Sequence, residues 1–95
     1  MKVILSTLAQ ETLESMRNFY LKRAPEALHS VFEPIINGMD LLEEHPRAGP
    51  PNHQTGLDGE IRTLVAAPYR ILYEIKKEDI VLIHSIRHGR QQPQF

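Results

Sequence analysis

The sequence predicts an α+β domain of order β-α-α-β-β-β, a helical hairpin packed on an antiparallel sheet, and three observations carry that expectation. Apolar residues recur at helical spacing through the first half; the period changes to two from Gly59 onward; a breaker-rich segment, His45 to Asp58, separates the halves. A chain of 95 residues fits one domain over 1–95, with 91–95 as a short C-terminal tail.

Lys2 to Leu8 is a short β-rich run, and Thr7-Leu8-Ala9-Gln10 has the spacing of a capping box, so strand one precedes it and helix one follows. Leu13, Met16, Phe19 and Tyr20 form an apolar stripe down to about Lys22, where Ala24-Pro25 breaks the helix. Pro25 and Glu26 suit the first turn of a second helix with Leu28, Val31, Phe32, Ile35, Ile36, Met39 and Leu42 inward. Pro34 inside that pattern removes a backbone bond, so a kink or break is expected near Ser30 to Pro34, and Gly38 weakens the same stretch. The loop from His45 carries Pro46, Gly49, Pro50, Pro51, Asn52, Gly56 and Asp58. Beyond it Ile61, Thr63 and Val65 alternate with Glu60, Arg62 and Leu64, and Tyr69, Ile71, Tyr73 and Ile75 alternate with Arg70, Leu72 and Glu74. Turns at Ala67-Pro68 and Lys76 to Glu78, then Ile80 to Arg87, complete a three-stranded meander. Strand one joins the same sheet, because a lone short strand is unstable.

At 41% hydrophobic and 24% charged, the composition is that of a folded globular chain. It contains no cysteine, which excludes disulfides, a thiolate nucleophile and a zinc–thiolate site, and suits a reducing cytosol. The first apolar run is too short for a signal sequence and no segment approaches the roughly 20 apolar residues of a membrane span, so we expect neither export nor a membrane anchor. The net charge of −1 argues against binding nucleic acid mainly by phosphate neutralisation. Charge is uneven, however: Arg87 and Arg90 make the C-terminal end locally basic, while acids crowd the first half.

The histidines, His29, His45, His53, His84 and His88, are scattered without metal-ligand spacing, and the glycines have no phosphate-loop spacing, so neither metal nor nucleotide cofactor is expected. Tyr69 and Tyr73 share a face with Ile71 and Ile75 and read as core aromatics. His84, on an apolar strand, reads as a satisfied core or edge histidine. Arg62 and Arg70 have a structural reading as partners of Glu60 or Glu74.

Four pieces then occur in one order: His45-Pro46-Arg47-Ala48-Gly49, Gly56-Leu57-Asp58-Gly59-Glu60-Ile61-Arg62, Pro68-Tyr69-Arg70-Ile71-Leu72-Tyr73, and His84-Ser85-Ile86-Arg87-His88-Gly89-Arg90-Gln91. In order and spacing they resemble the ParE branch of the RelE/ParE toxin superfamily of type II toxin–antitoxin systems. Ala9, Leu13, Met16, Ala27 and Phe32 are similar to the family's apolar helix positions, and Pro34 departs from its usual second helix. The resemblance implies a RelE/ParE-like sheet-and-hairpin toxin in the cytoplasm, neutralised by an antitoxin segment that folds on binding, in a toxin–antitoxin hetero-oligomer.

Two activities follow from the resemblance. A ParE-like toxin inhibits DNA gyrase and blocks replication without chemistry of its own; its target contacts would be Arg87, His88, Arg90 and Gln91, with the exposed face of helix one as a second surface. A RelE-like toxin is a ribosome-dependent mRNA endoribonuclease. Arg70 would then hold the phosphate, His88 would be the general acid and Arg62 would assist, because in-line attack needs cations and an acid near neutral pH. The mRNA-cleaving branch generally takes a base and extra cations from the long loop, where this chain has Arg47, His53 and Asp58.

Overall fold

A computed structural model describes residues 1–52 and 59–89. Strand β1 (Lys2–Leu5) leads to helix α1 (Thr7–Arg23), a 3-10 turn (Pro25–Ala27) and helix α2 (Leu28–Glu44); β2 (Glu60–Ala66), β3 (Tyr69–Lys76) and β4 (Ile80–His88) follow. The four strands form one sheet in the order β1-β4-β3-β2. β2, β3 and β4 are the expected antiparallel meander, and β1 joins it parallel to β4, so the sheet is mixed. The reason is topological: β1 reaches the sheet through both helices and the meander, and such a long connection can return a strand in either sense.

The helix start lies one residue before the expected capping box. Ser6, not Thr7, is the N-cap: its Oγ accepts from Ala9 N at 3.0 Å, while Gln10 Nε2 donates to the Leu5 carbonyl. The same Ser6 hydroxyl donates to the His84 carbonyl at 2.7 Å, so one side chain ties the start of α1 to β4. At the other end Ala24 N–H closes on Tyr20 O before Pro25.

Helix α1 lies on β4, and α2 crosses β2, β3 and β1. The core between them contains Ala9, Ile35, Leu42, Leu64, Ile71, Tyr73, Val81 and Ile83, with Leu13 and Met16 packed against it. Two of the expected inward residues, Ile36 and Phe19, are exposed. Ile36 is 48% exposed, because a step of one residue turns it about 100° from buried Ile35. Phe19 is also 48% exposed; it meets Tyr20 edge-on, 5.1 Å between ring centroids, and lies under the Arg23 guanidinium. Helix α2 continues through Pro34 without a break. At Gly38 the helix packs closely on the sheet: a Cβ there would sit 3.1 Å from Ile71 Cδ1 and 3.3 Å from Ala66 Cβ.

The segment after α2 is bonded to the end of the sheet. Tyr73 reaches under it, donating its hydroxyl to the Pro46 carbonyl at 2.7 Å and accepting from Gly49 N at 3.0 Å. Arg62 Nη1 donates to the Gly49 carbonyl at 2.6 Å. Asn52 N–H then donates to Ile61 O and Thr63 N–H to Pro50 O, laying Pro50–Asn52 along the outer edge of β2. A Cβ at Gly49 would fall 2.5 Å from the Thr63 carbonyl oxygen, so no larger residue fits this close approach.

Burial raises the Tyr73 phenol above its ordinary value, and its hydroxyl makes both hydrogen bonds that hold the segment. Tyr73→Phe keeps the ring and strands the Gly49 N–H; we expect a loss of about 1–3 kcal/mol, measured by urea denaturation, with the sheet intact.

Candidate functional site

Strand alternation assigns every side chain of the meander to the helix side or the helix-free side. Registers Arg62↔Tyr73, Leu64↔Ile71, Ile71↔Ile86 and Tyr69↔His88 lie on the helix side. The helix-free face is built of three rows. Val65, Arg70 and Arg87 form the first; Thr63, Leu72 and Ser85 the second; Ile61, Glu74 and Leu82 the third.

These rows change character along the face. In the first, both arginines are exposed and Val65 is 62% exposed. Arg70 and Arg87 are direct cross-strand partners, and neither makes an ion pair among the described residues. In the third, Glu74 is buried, its side chain 5% exposed, and hydrogen-bonded to His84 Nε2 at 2.7 Å, with Lys76 Nζ at 4.0 Å. His84 reaches this side because β4 skips one residue there: Leu72 pairs with Ser85 and Tyr73 with Ile83, leaving His84 on a bulge. Gly59 covers the carboxylate; its φ is +85°, and a Cβ would meet Glu74 Oε2 closely.

The three residues of the nuclease reading are thereby separated. Arg62 is on the helix side at the far end of β2, bonded to Gly49 and to Glu60. Arg70 is on the helix-free face at the other end. His88 is on the helix side, edge-on to Tyr69 at 5.5 Å between centroids. It lines a groove of about 330 Å³ with Met16, Phe19, Tyr20, Tyr69 and Ile86 beneath α1. In this groove burial raises the Tyr69 phenol above its ordinary value, with Tyr20 adding to the shift.

Of the target-contact set, Arg87 and His88 point to opposite faces of β4, and Arg90 and Gln91 lie outside the described residues. His53 and Asp58 lie outside them too. Tyr69 and Tyr73 are core aromatics as read, and His84 is satisfied as read. Its partner is Glu74, an acid inside the apolar run Ile71 to Ile75, expected to pair with an arginine and hydrogen-bonded to His84 instead. Arg62 pairs with Glu60, as its structural reading had it, while Arg70 pairs with neither acid. Among the described residues no group of three or more His, Cys, Asp or Glu could hold a metal ion, and no helix is long and apolar enough to cross a membrane.

Fold and face together define a small α+β domain of two helices on a mixed four-stranded sheet, with a partly basic helix-free surface. Solved structures share that fold. The chromosomal ParDE toxin–antitoxin system from P. aeruginosa matches with a TM-score of 0.71 and 20% identity, over 93% of this chain and 95% of that one. The archaeal RelE–RelB complex from Pyrococcus horikoshii OT3 gives 0.65 and 18%, over 95% and 97%. The toxin–antitoxin complex RelBE2 from Mycobacterium tuberculosis gives 0.58 and 30%, over 92% and 95%. No curated protein sequence matches the chain. Residues 3–93 match the family described as ParE toxin of type II toxin-antitoxin system, parDE, and the chain belongs to that family.

Two predictions follow from the polar contacts. His84→Ala leaves the Glu74 carboxylate buried without its nearest partner, and we expect about 1–3 kcal/mol lower stability by chemical denaturation. The Arg62 hydrogen bond, assisted by Arg47, holds Glu60 below its ordinary value of 4.5. A carboxyl lowered on folding contributes stability that is full above its unfolded value and lost as pH falls through the folded one. Denaturation midpoints of wild type and Glu60→Gln should therefore differ at neutral pH and converge below pH 4.5.

Proposed function

We propose that this chain is the toxin of a type II toxin–antitoxin pair that acts in the cytoplasm by inhibiting DNA gyrase, stabilising cleaved DNA and blocking replication. An antitoxin segment that folds on binding neutralises it in a hetero-oligomer. The observation that carries the gyrase reading is the separation of Arg70 and His88 onto opposite faces of the sheet, with Arg62 at its other end. Phosphodiester cleavage by an in-line 2′-hydroxyl requires the general acid and the phosphate-holding cations to converge on one group. Here the candidate acid faces Tyr69 under α1 while Arg70 faces away from it. The net charge of −1 supports the same reading, since a ribosome-bound nuclease works against a dense phosphate field.

As a binding poison, the chain works through contact residues. Arg87 and His88, at the end of β4, are the described candidates, with Arg90 and Gln91 beyond them; the exposed side of α1 is a second surface.

Purified toxin in a gyrase supercoiling and cleavage assay should accumulate cleaved DNA and leave mRNA intact in a ribosome-programmed cleavage assay. Arg87→Ala and His88→Ala should each weaken gyrase inhibition by about tenfold, the size of a lost contact of 1–2 kcal/mol. Cut mRNA beside unaffected gyrase, with cleavage falling by orders of magnitude in His88→Ala, would establish the endoribonuclease instead.

A further inference from the structure

We propose that the first row of the helix-free face, Val65, Arg70 and Arg87, is the docking site for an extended, acidic segment of the antitoxin, one carboxylate bridging both guanidiniums and an adjacent apolar side chain covering Val65. The inference rests on the toxin–antitoxin reading and names the surface and chemistry by which that partner is held.

The argument starts from a placement that the isolated chain does not favour. Like charges directly opposite on neighbouring strands repel, and the Cα atoms of such a pair are only about 5 Å apart. Arg70 and Arg87 are such a pair, exposed, and without an ion pair among the described residues. Elsewhere in the sheet arginine is matched, Arg62 by Glu60 and by two carbonyls. Two guanidinium forks on adjacent strands present several N–H donors to one side, a geometry that a carboxylate fills with two or more charge-assisted hydrogen bonds.

The surroundings select a peptide over a nucleic acid. Val65 adds an exposed β-branched surface beside Arg70, and half-buried Leu72 lies behind it in the next row. Arginine beside apolar surface is the composition of a protein-binding hot spot. A phosphate backbone needs a track of cations, but this face runs from the arginine pair to the Glu74 carboxylate, where Lys76 already lies beside an acid. A segment that folds only on binding has low hydrophobicity and is rich in charged residues, Glu among them, so it can supply carboxylates with few apolar anchors. Arg87 is also a target contact in the gyrase reading; an antitoxin carboxylate seated on it would mask it.

The test measures affinity of the antitoxin encoded beside the toxin gene for wild type, Arg70→Ala, Arg87→Ala and the double variant by calorimetry. A short DNA duplex is titrated in parallel by fluorescence anisotropy. Each single substitution should weaken antitoxin binding by about tenfold, and the double by less than the product, because one carboxylate serves both. Melting temperatures should hold or rise as the repulsion is removed, which separates lost docking from lost folding. Wild-type affinity in the double variant overturns the site. Duplex binding lost in the double variant, with antitoxin binding untouched, assigns the row to nucleic acid and overturns it equally. If wild type itself fails to bind the antitoxin, the toxin–antitoxin reading falls first, and this inference with it.

Discussion

Hydrogen bonding of β4 on both sides, parallel to β1 and antiparallel to β3, is the constraint on which the rest of this domain depends. It makes the last strand an interior one, so Val81, Ile83 and Ile86 are buried against the helices. Because a strand alternates its side chains, fixing those three also fixes the others. The bulge at His84 then resets the alternation once, which sends His84 to Glu74 and decides that Arg87 faces away from the helices and His88 towards them. Sites on the two faces are therefore consequences of one register.

A second tier of polar contacts holds the irregular chain to this frame, and burial decides which of them matter. Tyr73 and Arg62 bind the carbonyls and N–H of Pro46 to Gly49, where water competes poorly and an unmade bond costs about 1–3 kcal/mol. The Arg47–Glu60 pair beside them has an arginine side chain that is 64% exposed, and such pairs contribute at most about 1 kcal/mol. Ser6 shows the same economy of groups, its single hydroxyl serving as both helix cap and link to β4. Polar groups of this domain are thus spent on joining elements to one another.

Much of the fold was legible because it is periodic. Leu13 and Met16 mark the inner side of α1, Ile35 and Leu42 that of α2, and Tyr69, Ile71 and Tyr73 the core side of β3. Where the pattern misled, adjacent residues competed for one position. Ile35 and Ile36 cannot both face the sheet, and Ser6 and Thr7 cannot both cap the same turn; packing and the link to His84 chose between them. For the candidate site, the residue types were visible and their grouping was not. Arg62 and Arg70 read alike in sequence, yet one is an internal tie under Gly49 and the other an exposed cation.

The sequence by itself determined the element order, most of the core positions and, through four ordered motifs, the family, because these are recorded in spacing along the chain. Tertiary structure alone decided that β1 runs parallel to β4, that a bulge couples His84 to Glu74, and that Arg70 stands opposite Arg87. Each of those depends on which residues far apart in the chain become neighbours. Register between strands settles that, and no local periodicity encodes it.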